Sequence, residues 1–379
     1  MPDQPKPINK IYIEPTSECN LLCKMCSRNA WFGEETGHMS WQTFERVLFA
    51  AREMPTVGTL FFGGVAEPFS HPELFKMLRA AKSTGKRVEL ITNGAFLNRD
   101  VIHDLFELKL DMLWVSLDGS DAEIYEGIRP DSDYEKVTDQ LLQFSLARIR
   151  GGYQTKLGIA FVAMKSNIHQ LPQVIELANL LHAAELKVTN VLPYSKEMSD
   201  EILYRKRLYD MCYNEKLMDS ETEQCPVVQL PIMDFDQAEV SGAIAEILKQ
   251  ARLLQIGENN IARRGDHCKF VEAGALFVRW DGEVSPCLSL LHNHIEYLPE
   301  TERKISHCSF GNVNKTPLIE IWNSKPYEEF RKRIMDFSFP HCTICGHCSY
   351  MEENKEDCVG NPFPTCGGCL WAEGLIQCP

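Results

Sequence analysis

Residues 11–26 read IYIEPTSECNLLCKMC, a short apolar run followed by Cys19, Cys23 and Cys26. A [4Fe–4S] cluster is normally held by four Cys thiolates, so a group of three leaves one iron open to a small molecule. This spacing therefore predicts a catalytic iron–sulfur cluster rather than a sealed structural one. A chance grouping and a zinc site are the alternatives, although zinc ribbons usually bring a second Cys or His pair nearby and residues 27–36 contain none.

Short β-rich runs alternate with helical patterns from residue 11 to about residue 191. The six predicted strands are Ile11–Glu14, Thr59–Phe62, Arg87–Ile91, Met112–Leu117, Leu157–Val162 and Lys187–Leu192. Apolar residues at helical spacing lie between them, for example after Ser40, a good N-cap. These units predict an α/β fold, a partial (β/α)6 barrel of parallel strands joined by right-handed crossovers.

A motif lies at the end of each of the first four predicted strands. The cysteine loop follows the first, Gly63–Pro68 (GGVAEP) the second and Thr92–Gly94 (TNG) the third, and Ser116–Gly119 (SLDG) ends the fourth. Gly-Gly, Asn-Gly and Asp-Gly are also common turn signals, so each motif alone is weak. Because the chemistry of such folds sits at the C-terminal ends of the strands, the four together predict one site at that edge.

The length of 379 residues exceeds a comfortable single core, which predicts about two domains. We place the barrel at residues 1–196 and a bridging helical segment at residues 197–262, with charged helical patterns at Glu197–Lys206 and Gln237–Leu254. Residues 263–379 form the predicted cysteine-rich domain, which has many turns and little periodic apolar sequence. Because this domain has too little apolar sequence to be stabilised by burial alone, metal clusters would supply the missing cross-links.

The formal net charge of −14 argues against sequence-independent binding to nucleic acid or to an anionic membrane. The segment Met1–Lys10 is polar and proline-rich, without the apolar centre of a signal peptide, and no run of about 18 apolar residues occurs. We therefore expect a soluble, cytoplasmic protein with no nucleic-acid or membrane partner, acting on a polypeptide, a small molecule or a redox partner.

Fifteen cysteines in a chain without an export signal favour metal ligation over disulfides, because cytosolic thiols are kept reduced. Cys212 and Cys225 stand apart and are predicted to be ordinary thiols. Two fully ligated [4Fe–4S] clusters would need about eight thiolates, fewer than the ten cysteines from Cys268 onward. Cys308 is the least secure of these ten. The predicted ligand pool is Cys268, Cys287, Cys342, Cys345, Cys348, Cys358, Cys366, Cys369 and Cys378.

Together these motifs resemble the radical SAM superfamily, and the C-terminal cysteines resemble its SPASM subgroup, which carries auxiliary iron–sulfur clusters. The resemblance implies a SAM-binding [4Fe–4S] cluster at Cys19, Cys23 and Cys26 and two auxiliary clusters. In this family the open iron chelates S-adenosylmethionine (SAM), and one electron from a donor such as a flavodoxin or ferredoxin cleaves it to a 5′-deoxyadenosyl radical. That radical abstracts hydrogen from the substrate, while the protein binds, orients and excludes water.

The resemblance extends to Gly63–Pro68, which is similar to the family's GGxGEP motif, with Ala66 where Gly is usual. It implies that Gly63 and Gly64 allow close backbone approach to SAM. It also implies that Glu67 accepts a hydrogen bond from the methionine amino group.

Three further residues are implied as SAM contacts. Ser116 and Asp118 resemble a group that reaches the ribose or the carboxylate, and Arg129 resembles an arginine that pairs with the carboxylate. A surface salt bridge is the alternative for Arg129. Asn93 is either a turn former or a ligand contact.

Residues 268–287 fit Cys-x13-Gly-x4-Cys, on a predicted hairpin turning at Asp281-Gly282, and resemble the entry to the family's first auxiliary cluster. The family's usual late spacing is not met, so the partition of the late cysteines between clusters stays open. For Cys342–Cys348 the alternative is a zinc knuckle that includes His341 or His347. No residue is assigned as general acid or base.

Leu288 stands where sulfatase-maturing enzymes carry an Asp base, which counts against sulfatase maturation. The ending CGGCLWAEGLIQCP (residues 366–379) resembles the tail of proteins associated with tungsten-dependent aldehyde oxidoreductases, maturases of those enzymes or of their pterin cofactor. The leading hypothesis is therefore a radical SAM maturase in an anaerobe, acting on a protein, peptide or pterin-linked cofactor. The alternatives are a maturase of a ribosomally made peptide and a non-catalytic iron–sulfur electron-transfer scaffold.

Overall fold

The computed structural model describes residues 7–204, 227–229, 231, 233–234, 237–249, 255–256, 268–298, 301–340, 342 and 348–378. Six parallel strands, paired in chain order, form the centre of one sheet. They are β1 Lys10–Ile13, β2 Thr59–Phe62, β3 Arg87–Thr92, β4 Met112–Ser116, β5 Lys156–Ala163 and β6 Glu185–Asn190. The six predicted strands and the α/β fold class are confirmed, with small shifts of the strand ends.

Helices connect these strands and cover one face of the sheet. They are α1 Trp41–Glu53, α2 Leu74–Lys82, α3 Arg99–Glu107, α4 Ala122–Ile128, α5 Tyr134–Gly151 and α6 Leu171–Leu180. The Ser40 hydroxyl accepts a hydrogen bond from the Thr43 backbone N–H at 3.1 Å, which confirms the predicted N-cap of α1. The larger core lies between these helices and the sheet, where Ile11, Leu60 and Leu113 are fully buried.

The C-terminal part of the chain extends the same sheet beyond β1. Strand β9, Ala275–Val278, pairs parallel with β1, and β10, Val284–Ser285, pairs antiparallel with β9. The predicted turn at Asp281-Gly282 is confirmed, and Gly282 has a φ of +92°, which favours glycine. A separate hairpin, β11 His294–Leu298 and β12 Thr301–Ile305, follows. The described helices of this C-terminal part are α8 Lys269–Glu272, α9 Leu318–Trp322 and α10 Lys325–Asp336.

A second core lies on the sheet face opposite the helices, because successive side chains of a strand point to opposite faces. The Tyr12 ring stacks on Phe277 with 4.3 Å between centroids and lies 4.9 Å from the Phe61 ring. Leu375 and Ile376, close to the chain's end, belong to this same core. The barrel strands and the C-terminal residues are therefore packed as one interior.

The predicted bridging helical segment at residues 197–262 contains strands as well as helix among its described residues. Two short strands, Val227–Gln229 (β7) and Gln255–Ile256 (β8), continue the sheet in parallel beyond β6. The second predicted helix is present as Ala238–Lys249 (α7), whereas the described part of the first contains a 3₁₀ turn at Glu197–Glu201. Strands of two or three residues are too short to show the alternation that identifies a strand in a sequence.

Among the described residues, no helix is both long enough and apolar enough to cross a membrane. The predicted ordinary thiols Cys212 and Cys225 lie outside the described residues.

Candidate functional site

The cysteine loop after β1 meets the loops that follow the neighbouring strands. Cys23 is 8% exposed, while Cys19 and Cys26 are half-buried. Asn93 Nδ2 lies 4.0 Å from Cys19 Sγ, Arg129 Nη1 lies 3.7 Å from Cys23 Sγ, and the Val65 carbonyl oxygen lies 3.9 Å from Cys26 Sγ. Two of the thiols are thus touched by residues of the predicted strand-end motifs, and the third by Arg129 at the end of α4.

Burial disfavours the thiolate forms of Cys23 and Cys26. It raises the pKa of Cys26 to about 11 and raises the pKa of Cys23, in spite of the nearby Arg129 guanidinium. Metal ligands of this kind bind as thiolates, so metal binding here would release protons. Three thiols gathered in one loop without a fourth fit a cluster with one open iron.

The Gly63–Pro68 motif is tightly packed at its first two positions. A Cβ atom on Gly63 would lie 2.4 Å from Ile91 Cγ2, and a Cβ atom on Gly64 would lie 3.0 Å from Glu14 Cγ. Ala66 does not have a positive φ, so its side chain strains nothing where the family usually has Gly. The loop can therefore keep its path next to β1 only with the first glycine in place.

Glu67 ties the loop after β2 to the loop after β3. It is 2% exposed; its Oε1 accepts from the Phe69 N–H at 3.1 Å and the Thr92 hydroxyl at 2.9 Å, and its Oε2 accepts from the Asn93 N–H at 2.7 Å. Burial raises the pKa of Glu67 to about 7, although these donors oppose the shift. Its predicted contact with the methionine amino group of SAM stays a prediction.

The turn-former alternative for Asn93 is confirmed, whereas its contact with SAM stays a prediction. Its Oδ1 accepts from the Ala95 N–H at 2.9 Å, which makes it a turn former. Its Nδ2 donates to Asn20 Oδ1 at 2.9 Å, which holds it against the cysteine loop.

Asp118 and Arg129 form a buried ion pair, so the surface salt bridge considered for Arg129 is wrong. Asp118 Oδ2 lies 2.7 Å from Arg129 Nε and 2.5 Å from its Nη2, and Oδ1 accepts from the Val162 N–H at 2.7 Å. Burial alone would lower the pKa of Arg129, but Asp118 outweighs it and raises the pKa overall. Asp118 therefore holds the guanidinium beside Cys23. Ser116, half-buried at the end of β4, stays a predicted SAM contact.

Four of the late cysteines converge in space. Cys268, Cys287, Cys366 and Cys369 line one small, mainly apolar cavity. Burial raises the pKa of all four thiols, and the neighbouring thiols raise the pKa of Cys287 further. No three His, Cys, Asp or Glu side chains of the described residues form a site for a single metal ion. A [4Fe–4S] cluster instead takes one thiolate on each of four irons, which fits these four residues.

The other cysteines of the predicted pool lie outside this cavity or outside the described residues. The Cys342 N–H donates to the Gly367 carbonyl at 3.0 Å, beside the cavity, and Cys348 is half-buried while Cys358 is exposed. Cys378 Sγ accepts from Trp371 Nε1 at 3.3 Å. Cys345 lies outside the described residues, as do His341 and His347, so the zinc-knuckle alternative stays open.

Cys308, the least secure of the ten, packs against Leu290 and Ile305 in a small apolar cluster.

A buried polar cluster that no sequence motif predicts lies beside the cysteine loop. It centres on His292, which lies between Glu14 and Glu34. A second set, Tyr194, His294 and Glu296, lies next to it. The one signal in the sequence is the alternation of His292, His294 and Glu296 at the spacing of one strand face.

Comparison with known proteins gives two family matches. Residues 13–202 match the model of the Radical SAM superfamily, and residues 268–349 match SPASM, an iron–sulfur cluster-binding domain. The chain is 30% identical to the tungsten-containing aldehyde ferredoxin oxidoreductase cofactor-modifying protein of Pyrococcus furiosus, over 97% of this chain and 96% of that protein. It is 28% identical to the PqqA peptide cyclase of Rhodopseudomonas palustris, over 48% of this chain and 47% of that protein.

Among solved structures, anSMEcpe with bound AdoMet superposes with a TM-score of 0.59 at 17% identity, covering 98% of this chain and 88% of that one. This likeness confirms the fold, a radical SAM partial barrel followed by a SPASM domain.

Proposed function

The chain belongs to the radical SAM superfamily and carries a SPASM domain, and from this premise we propose that it matures a tungsten- and pterin-dependent oxidoreductase. It is an enzyme of this family rather than a non-catalytic scaffold. In the proposal it cleaves SAM reductively and removes hydrogen from a protein, peptide or cofactor substrate. Three [4Fe–4S] clusters, one binding SAM and two auxiliary, would hold about twelve iron atoms.

One observation carries the proposal: the three thiols of the cysteine loop lie against the Val65 carbonyl after β2, Asn93 after β3 and Arg129 at the end of α4. Cys19, Cys23 and Cys26 would hold the cluster whose open iron binds SAM. When bound, cluster and SAM together supply a 5′-deoxyadenosyl radical after one-electron reduction. A flavodoxin or ferredoxin is the proposed donor, and the cytoplasm the proposed location.

The chain's own residues bind and orient SAM. Arg129 brings a fixed positive charge to Cys23, where it can pair with the carboxylate of SAM, and Asp118 sets its direction. Glu67 keeps the glycine loop and Asn93 in register, so that the backbone of Gly63 and Gly64 can approach the ligand. Their burial keeps water away from a reactive site.

The four convergent thiols, Cys268, Cys287, Cys366 and Cys369, are the proposed ligands of the first auxiliary cluster. A second cluster would take its ligands from the rest of the pool, Cys342, Cys345, Cys348, Cys358 and Cys378. With these assignments, residues 1–196, 197–262 and 263–379 remain the proposed barrel, bridge and auxiliary-cluster domain.

The substrate proposal rests on the cofactor-modifying relative, which matches almost the whole chain. Leu288, in place of the Asp base of sulfatase-maturing enzymes, is consistent with a different substrate. A second candidate, maturation of a ribosomally made peptide, is supported by the similarity of half the chain to a peptide cyclase.

The chemistry is tested by anaerobic reconstitution with iron and sulfide, followed by dithionite and SAM, with 5′-deoxyadenosine measured by mass spectrometry. We expect product from the wild type and none from a Cys19/Cys23/Cys26→Ala variant. Cys308→Ala is the matched control, because this buried thiol packs among apolar residues. An iron-loaded wild type that forms no 5′-deoxyadenosine would refute the proposal.

The substrate is tested in the same assay by adding either the tungsten-dependent oxidoreductase of the same organism or a candidate precursor peptide. Faster SAM cleavage and a mass change confined to the oxidoreductase or its cofactor support the first candidate. A mass change confined to the peptide would replace it with the second.

A further inference from the structure

A buried charge cluster joins the C-terminal part of the chain to the cysteine loop. His292 Nε2 lies 2.9 Å from Glu14 Oε1 and 3.1 Å from its Oε2, and His292 Nδ1 lies 3.0 Å from Glu34 Oε2. All three side chains are at most 5% exposed. A single imidazole thus bridges two carboxylates that solvent hardly reaches.

The two carboxylates belong to segments on either side of the cysteine loop. Glu14 directly follows β1, and its Cγ lies 3.0 Å from the position of a Cβ atom on Gly64. Glu34 lies after the loop, in the same segment as Trp31, whose ring stacks on His292 with 4.1 Å between centroids. His292 is therefore linked to the glycine motif through Glu14 on one side, and it contacts the segment after Cys26 on the other.

The charges explain why this position needs a cation. Two carboxylates in a buried site repel each other unless a positive group lies between them. Arg279 Nη1 reaches Glu34 at 3.1 Å, but Arg279 is also paired with Asp281. Glu14 has His292 as its charged partner. Burial alone would lower the pKa of His292, but the two carboxylates outweigh it and raise the pKa to about 9.

We infer that His292 is a positioning residue of the SAM site: it fixes Glu14 and Glu34, and through them the glycine loop and the segment after the cysteines. The inference rests on the proposed function, because it assigns the SAM site to this end of the barrel. It adds that the SAM-binding half of the enzyme is complete only when a residue of the C-terminal part is in place. In this inference His292 acts through the loops that are proposed to bind SAM, by way of its contacts with Glu14 and Glu34.

The test compares reconstituted full-length His292→Gln with Glu14→Gln/His292→Gln. The glutamine keeps a hydrogen-bond donor but removes the cation, and the second change removes the carboxylate left without its charged partner. The measured quantities are the SAM dissociation constant, from the change that SAM causes in the electron paramagnetic resonance (EPR) spectrum of the reduced cluster, and the iron content. His103→Gln, on the exposed side of α3, is the matched control.

We expect His292→Gln to bind SAM roughly tenfold more weakly, and the double variant to recover a large part of the loss. The affinity of the wild type should also fall as the pH rises through about 9, because deprotonated His292 no longer offsets the charges of Glu14 and Glu34. Arg279 stays paired with Glu34, and its own charge is shared with Asp281. His292→Gln should lack this fall.

Equal SAM affinity in wild type and His292→Gln would overturn the inference. A double variant that binds SAM as weakly as His292→Gln would also overturn it. If His292→Gln loses iron, the double variant decides the outcome in the same way. A wild type that forms no 5′-deoxyadenosine would instead refute the proposed function itself. If the wild type cleaves SAM and the His292 variants bind SAM as tightly as the wild type, the proposed function is retained and only the role of His292 is refuted.

Discussion

Replacing Asp118 with Asn removes the charge of the buried ion pair but keeps the shape of the side chain. Asp118 is 0% exposed and Arg129 is 6% exposed, so water cannot take the place of the lost carboxylate. The asparagine oxygen can still accept from the Val162 N–H, but its amide group would then face Arg129 Nε and Nη2, which are donors themselves. The change therefore leaves a buried guanidinium without a counter-charge.

Removing one partner of a buried ion pair typically costs about 3–5 kcal/mol of unfolding free energy. We expect the lower half of this range, because the Val162 bond survives. In a chain of this size such a loss lowers the melting temperature by roughly 4–5 °C. The assay is thermal unfolding of the anaerobically reconstituted protein, followed by far-ultraviolet circular dichroism.

Arg129→Met and the double variant Asp118→Asn/Arg129→Met separate stability from function. The double variant contains no unpaired buried charge, so it should be more stable than either single variant. It should still fail to bind SAM, since it lacks the guanidinium beside Cys23. A melting temperature of Asp118→Asn within about 1 °C of wild type, or a double variant as unstable as the sum of the single changes, would refute the reasoning.

Three further variants test other parts of the site. Gly63→Ala should abolish SAM binding, because its Cβ atom would lie 2.4 Å from Ile91 Cγ2. Ala66→Gly is the control variant. Normal SAM binding by Gly63→Ala would contradict the packing argument. Cys366→Ala should lose about four iron atoms per chain, whereas Cys308→Ala should lose none; equal iron contents would contradict the four-thiol assignment. The pairing of His292 contributes stability that is fully present below its unfolded pKa of about 6.5 and is lost as the pH rises through about 9. The melting temperature of the wild type should therefore fall between pH 7 and pH 9 more than that of His292→Gln, and parallel curves would show that the pair adds no stability.

The sequence predicts the barrel well because its signals are local. Each of the six parallel strands is a short run of apolar or β-branched residues followed by a helical pattern, and the structure differs only at the strand ends. The sequence could predict that the strand-end motifs lie close together, because parallel strands place their C-terminal ends at one edge of the sheet. That edge is where Asn93, Arg129 and Val65 meet the three thiols.

The remaining features depend on contacts between distant parts of the chain. Spacing could not say that Cys366 and Cys369 join Cys268 and Cys287, because folding alone brings these segments to one cavity. Strands β7 and β8 are too short for any periodicity. His292 and Glu14 are far apart in the sequence, and neither belongs to a motif; their pairing follows from β9 lying beside β1.

The central claim is that Cys19, Cys23 and Cys26 hold a cluster with one iron open to SAM. Electron–nuclear double resonance of the reduced enzyme, with SAM labelled with ¹⁵N at its amino group, tests this claim most directly. A ¹⁵N coupling to the cluster, absent from the Cys19/Cys23/Cys26→Ala variant while the auxiliary clusters remain, is the predicted result. A fully reduced, iron-loaded wild type that shows no ¹⁵N coupling would contradict it.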